Sequence, residues 1–297
     1  VTINGPTAPA FNIVLDHLSL SWAIDENLGF YGKEVRDVTV MNSIISEGLH
    51  RSIHPDGPHS KGILVGDDVS RISIHGCLLA HNDDRNPRQK PGSSLEFVNN
   101  VVYNWGGRGG GHQANPADTE KTDKVTLLTF AGNYYKAGPQ SPMRASLSGR
   151  PISPGFRAFV LNNIGPTRID DSVSEWEISD IPEEPFRAKT APLSPSGVIM
   201  RHATETYSSV LENVGARPWE RDVVDRRIIE EVKAGTGSIK DCISDCPNHV
   251  GGWPVIREER RKLDLPAHPN RDSDGDGYTD LENWLNNLKS EDVALRR

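Results

Sequence analysis

The chain alternates apolar and polar residues in short runs that break at polar or glycine corners. Six runs stand out: "NIVLDHLSLSW" (12–22), "DVTVMNSIIS" (37–46), "RISIHGCLLA" (71–80), "SLEFVNNVVYNW" (94–105), "LLTFAGNYYK" (127–136) and "AFVLNNIG" (158–165). Period-two alternation marks a strand with one buried face. Each run reaches its corner and then resumes with two apolar residues. Asn42, Asn99, Asn100, Asn133, Asn162 and Asn163 lie at or near these corners. Asparagine tolerates left-handed backbone geometry, and stacked amides hydrogen-bond along a stack. More strand follows each corner, not a returning hairpin. The pattern therefore predicts an all-β parallel β-helix over a β-sandwich with Asn-rich turns. Uneven corner spacing predicts rungs with loops of unequal length.

After residue 166 the texture changes. Residues 167–202 are rich in Pro, Ser and acid and read as a long surface loop. Residues 203–214 and 219–233 read as helices, the second entered at Pro218 and stopped at Gly235. The domain reading is a β-helix over 1–166, the loop over 167–202, a helical extension packed on the β-helix over 203–266, and a calcium loop with a terminal helix over 267–297. Within it, 257–270 reads as a charged linker. No apolar run is long enough to span a membrane. A net charge of −8 argues against a nucleic-acid partner. The three cysteines, Cys77, Cys242 and Cys246, make no framework. Cys242 and Cys246 could pair within a loop, with two free thiols the expected state.

Four segments carry candidate chemistry. Adjacent Asp25 and Glu26 in "SWAIDENLGFYG" offer oxygen ligands to a hard cation such as calcium, or are solvated turn acids. Lys61 opens the apolar run of "HSKGILVG"; alone it reads as a strand-edge lysine. In "RNPRQKPG", Arg85, Arg88 and Lys90 crowd around Pro87, which stiffens the backbone. Cations held at fixed spacing suit a repeating anionic ligand, because guanidinium forks bind carboxylates. Finally, "DSDGDGYTDLENWLNNL" places Asp272, Asp274, Asp276, Asp280 and Glu282 around Gly277, with the Tyr278 carbonyl available. It is close to an EF-hand-like calcium loop running into a helix, although Glu282 stands one place early for that pattern.

In chain order, "VLDH" (14–17), "AIDEN" (23–27), "HSKGILVG", "RNPRQK" and "FVNNVVYNW" resemble the pectate lyase family, polysaccharide lyase family one. The tail from "ARPWERDVVD" to "GGWP" resembles that of bacterial members with C-terminal extensions. The resemblance implies a right-handed parallel β-helix and calcium-dependent β-elimination on polygalacturonate. It implies Arg85 as the catalytic base, with Lys61, Lys90 and the usually basic position of Arg88 on substrate carboxylates. Asp25 and Glu26 fall in its calcium segment, where the family often spaces two acids four apart. Asp16 and His17 lie in a signature that the resemblance places away from the cleft. A further calcium aspartate is expected just before the opening "VTING", so the chain resembles the C-terminal two thirds of a longer enzyme. Secretion or a periplasmic location and a monomeric state are expected. Other readings are a non-catalytic β-helix that binds anionic glycan, a structural solenoid, and a lyase for another uronate. A calcium-free pectin lyase is disfavoured by the adjacent acids and by the few aromatics near 85–105, Tyr103 and Trp105.

Overall fold

The computed structural model describes residues 1–5, 8–107, 111–114, 124–149, 152–255 and 264–294, with side chains to residue 287. The first compact unit, Val1–Pro254, winds three short strands per turn into three parallel sheets. One full turn runs Lys61–Val65, Ser70–His75, Leu78–Ala80, and the next Arg88–Gln89, Ser94–Val98, Val101–Tyr103. Every named strand pair is parallel, including 94–98 beside 71–76, so the coil is a right-handed parallel β-helix.

The alternation read from the sequence becomes columns inside the coil. Val38, Ile72, Leu95, Leu128 and Ala158 stack in register, as do Val40, Ile74, Phe97, Phe130 and Val160. All ten are buried. The corners share a two-residue form. A left-handed residue (His17, Asn42, Gly76, Asn99, Gly132 or Asn162) precedes an inward ladder residue. Asn100, Asn133 and Asn163 make the ladder: Asn133 N–H and Asn100 N–H donate to the next amide at 2.9 and 3.0 Å. Asn133 thus matches Asn100 and not Asn99; Gly132 takes the left-handed place in its turn.

The third sheet is buried on both faces. Ile45, Leu79 and Val102 point into the coil, while Ile44, Leu78 and Val101 meet helices α1 (Ala203–Asn213) and α2 (Val223–Ala234). That explains its unbroken apolar runs. Helix α2 begins four residues after the expected entry. Asp222 caps it by accepting the Val224 and Asp225 N–H groups, both at 2.9 Å, whereas Trp219 stays exposed. Gly235, left-handed, ends it.

Segment 167–202 is more than a surface loop. Its Trp176, Ile178 and Ile181 are buried in the coil's core cluster with Leu147 and Phe156, against the last turn. The second compact unit is Val255–Arg297, so the division falls earlier than residue 266. The expected charged linker lies outside the described residues as far as 263. Cys242 and Cys246 form a disulfide, against the expected free thiols; their Cα atoms, 6.4 Å apart, are within its reach. Cys77 is buried, and burial pushes its thiol up to about 12. Among the described residues no helix is long and apolar enough to cross a membrane.

His112 sits wholly inside the coil, edge-on to Phe97 and Phe130 at 5.5 and 5.4 Å. Burial lowers its pKa from 6.5 to about 3. The unfolded chain therefore binds a proton that the fold refuses. His112's share of stability is complete above pH 6.5 and drains away as pH falls toward 3, by roughly 1.4 kcal/mol per unit. Urea unfolding of parent and His112→Leu across that range is expected to show the variant gaining on the parent as pH drops. A pH-independent difference would contradict this.

Candidate active site

Successive turns bring the candidate residues together at one end of the first sheet. Glu26 opens strand Glu26–Tyr31, Lys61 opens Lys61–Val65, and Asp84 bridges to Lys61 one turn further on. Glu26 is the register partner of Lys61, so Glu26, Lys61 and Asp84 form a column of alternating charge. Lys61 Nζ donates to Asp84 Oδ2 at 2.6 Å, and Gln113 Nε2 donates to Asp84 Oδ1. The side chains of Lys61 and Asp84 are only 7% and 11% exposed. The sequence set Lys61 against a substrate carboxylate. In the folded chain its ammonium pairs with Asp84, both side chains being largely buried.

Arg85 follows with a left-handed backbone, φ 59°. Its N–H donates to Asp84 Oδ1 at 2.9 Å, and its carbonyl accepts the Ile63 N–H at 2.7 Å. A Cβ on Gly62 would stand 2.6 Å from that carbonyl oxygen, so the missing side chain lets the Arg85 loop close onto the strand. Beneath it Asn27 Nδ2 donates to Asn82 Oδ1 and Asn82 Nδ2 to Asn86 Oδ1, both at 3.1 Å. The Arg85 guanidinium contacts Glu26 Oε1, and the Tyr31 hydroxyl donates to Glu26 Oε2 at 2.7 Å. Burial, aided by Asp25, pushes the Tyr31 phenol up and keeps it a donor. Glu26 Oε2 is thereby hydrogen-bonded, and Oε1 faces the guanidinium.

Arg88 is in register with Leu64 and Gln113 and is buried, while Lys90 is half-buried with its N–H on the Val65 carbonyl at 2.9 Å. Asp25, next to Glu26, turns to two histidines that sequence reasoning did not single out. Asp25 Oδ2 lies 3.8 Å from His54 Nε2, and Oδ1 lies 3.7 Å from His59 Nε2. The signal was "HPDGPH", two histidines flanking a Pro-Asp-Gly-Pro turn. Asp16, paired with His17 at 2.7 Å, stays apart from these residues in the second sheet.

In the second unit, Asp272, Asp274 and Asp276 converge within 4.8 Å of one another. Asp272 accepts the Gly275 and Gly277 N–H groups at 2.7 and 3.1 Å. Asp276 accepts the Tyr278 N–H at 2.8 Å, which with Asn283 holds its carboxyl below the usual range. Asp280 is turned to Ser273 at 2.7 Å and Glu282 to the Thr279 N–H at 2.7 Å, at the start of helix α3 (Asp280–Ala294). These two acids brace the loop.

Stacked three-strand turns with a cation-bearing loop on one sheet define a right-handed parallel β-helix protein. No family profile matches the chain. Curated relatives do: a probable pectate lyase C of Aspergillus flavus is 30% identical over 303 residues, covering 93% of this chain and 65% of its own. The Neosartorya fischeri protein of that name is 31% identical with the same coverage, and that of Emericella nidulans 29% identical over 98% of this chain and 68% of its own. The chain is similar to these pectate lyase C proteins over nearly all of its own length. It spans 65% of the length of the first of these fungal relatives. Among solved structures, a Bacillus subtilis pectate lyase aligns over 74% of this chain and 53% of its own at 13% identity and TM-score 0.49, too distant to bear on the site.

Proposed function

We propose that the protein cleaves α-1,4-polygalacturonate by β-elimination, with Arg85 taking the C5 proton. The observation that carries this reading is the placement of Arg85. A left-handed turn seated over Gly62 fixes it one residue after a buried ion pair, just ahead of the strand Arg88–Gln89 and of Lys90. The likeness to proteins named probable pectate lyase C supports it. The polymer bears a carboxylate on every sugar, which half-buried Lys90 would hold; buried Arg88 would have to turn outward to join it. The C5–H bond breaks and its proton passes to Arg85. The electron pair becomes the C4–C5 double bond, and the C4 oxygen departs with the pair of the broken C4–O bond. Arg85 must first leave Glu26 and shed its own proton, because a guanidinium clasped by a carboxylate holds it. Turnover is therefore expected to rise toward alkaline pH. Lys61 serves as a positioning residue, holding Asp84 and through it the Arg85 turn.

The resemblance implies calcium on Asp25 and Glu26. Calcium takes six to eight oxygens. Glu26 is engaged by Arg85 and Tyr31, and Asp25 faces two imidazoles, so the described cleft residues do not fit calcium and no step is routed through it. The tail loop offers the better donor set. Calcium there would neutralise the converging carboxylates of Asp272, Asp274 and Asp276 and order the turn. Asp274→Ala is expected to bind one calcium fewer than the parent in equilibrium dialysis; an unchanged count rejects the assignment. Secretion into an oxidising compartment is supported by the Cys242–Cys246 disulfide. All the residues invoked lie in one chain, so a monomer suffices.

The test is incubation of the full-length protein with polygalacturonate while following the absorbance of unsaturated uronate. A steady rise supports the proposal. A rise only on methyl-esterified polymer, or only on guluronate or mannuronate polymer, transfers the chemistry to another substrate. Binding without any rise leaves a glycan-binding β-helix.

A further inference from the structure

We infer that Asp25, His54 and His59 form a site for a divalent d-block cation, with zinc the best match. Three observations converge on it. First, the donors are close but not bonded to one another. The Asp25–imidazole distances of 3.7 and 3.8 Å exceed hydrogen-bond range, and all three ligand atoms lie within 4.8 Å. Tetrahedral zinc with bonds of about 2.0–2.1 Å sets its donors about 3.4 Å apart. Closing the set around one ion draws in atoms that stand up to 4.8 Å apart, by as much as about 1.4 Å. Asp25 Oδ1 is also buried with no hydrogen-bond partner among the described residues.

Second, the loop is built to present the two rings. A turn closed by the Gly57 N–H on the His54 carbonyl at 3.1 Å, with Gly57 left-handed, folds the segment back on itself. The imidazoles stack with centroids 3.5 Å apart and planes 23° apart. Ligation of one ion by both Nε2 atoms would splay the rings out of this stack. His59 Nδ1 lies 3.0 Å from the Gly57 carbonyl, and as donor it leaves the Nε2 lone pair facing Asp25. His54 Nδ1 accepts the Asp56 N–H at 3.1 Å, so ligation there moves the ring proton to Nδ1 and opens that contact.

Third, the donor chemistry selects the metal. Two nitrogens and one carboxylate suit zinc or cobalt, whereas calcium and magnesium demand oxygen. Three protein donors leave a fourth position for water or a ligand oxygen. The ion would sit beside Glu26, the residue that clasps Arg85, which is where calcium was expected from the sequence. The inference does not depend on the elimination reaction.

The test uses the whole chain, stripped with a chelator, then dialysed against zinc or cobalt in the presence of millimolar calcium to fill the tail loop. One zinc per chain is expected. Cobalt is expected to give visible d–d bands of a nitrogen-ligated tetrahedral or five-coordinate ion. His54→Ala and His59→Ala should each weaken zinc binding at least about tenfold, and the double variant should lose the bands. Asp25→Asn, which leaves the histidine loop unchanged, should weaken binding while keeping nitrogen-type bands. A parent that retains no zinc, or a double variant that binds as the parent does, overturns the site. The parent's stoichiometry decides even if a variant fails to fold.

Discussion

Arg85→Lys is expected to lower turnover on polygalacturonate by about 10²–10⁴-fold, the range that a positioned general base contributes, with binding changed little. Lysine keeps the charge that attracts the polymer. It loses the guanidinium that contacts Glu26 and the reach that carries nitrogen to C5. The loop itself should survive, because the Arg85 backbone, not its side chain, makes the contacts to Asp84 and Ile63. Initial rates against binding isotherms separate the two effects. A variant with near-parental turnover would take Arg85 out of the proton transfer and leave the loop as a clamp.

Lys61→Met is expected to cost about 3–5 kcal/mol of stability, the penalty for stranding one partner of a buried ion pair. Asp84 would keep Gln113 and the Arg85 N–H but lose its countercharge inside the wall. A lysine waiting at the surface for a substrate carboxylate would cost less than about 1 kcal/mol to remove. Urea midpoints therefore distinguish a wall residue from a clamp. Adding Asp84→Asn to Lys61→Met should recover part of the loss, since the stranded charge goes with it. A Lys61→Met midpoint equal to the parent's would return Lys61 to the cleft.

The coil was legible because alternation constrains which residues face inward. Val40, Ile74, Phe97, Phe130 and Val160 fall at one position of five successive runs, and only parallel stacking buries all of them. The Asn corners were legible for a related reason, but only to within one residue. Glycine fills the left-handed place as readily as asparagine, so Gly132 displaced the apparent match of Asn133. The cations of 85–90 were visible as a cluster. Their partners were not, because Glu26–Arg85 and Lys61–Asp84 join residues from different turns, and register is invisible in a charge pattern. His54 and His59 were hidden for the same reason: each is unremarkable until the Gly57 turn stacks them over Asp25. Trp176, Ile178 and Ile181 lie in a Pro- and acid-rich stretch whose composition hid three apolar residues that pack into the coil.

Mass spectrometry of the products of a defined galacturonate oligomer tests the central claim most directly. Elimination predicts fragment pairs whose masses sum to that of the substrate, one fragment carrying the new double bond. Pairs that sum to the substrate plus one water would mean hydrolysis, and would contradict proton abstraction at C5 by Arg85.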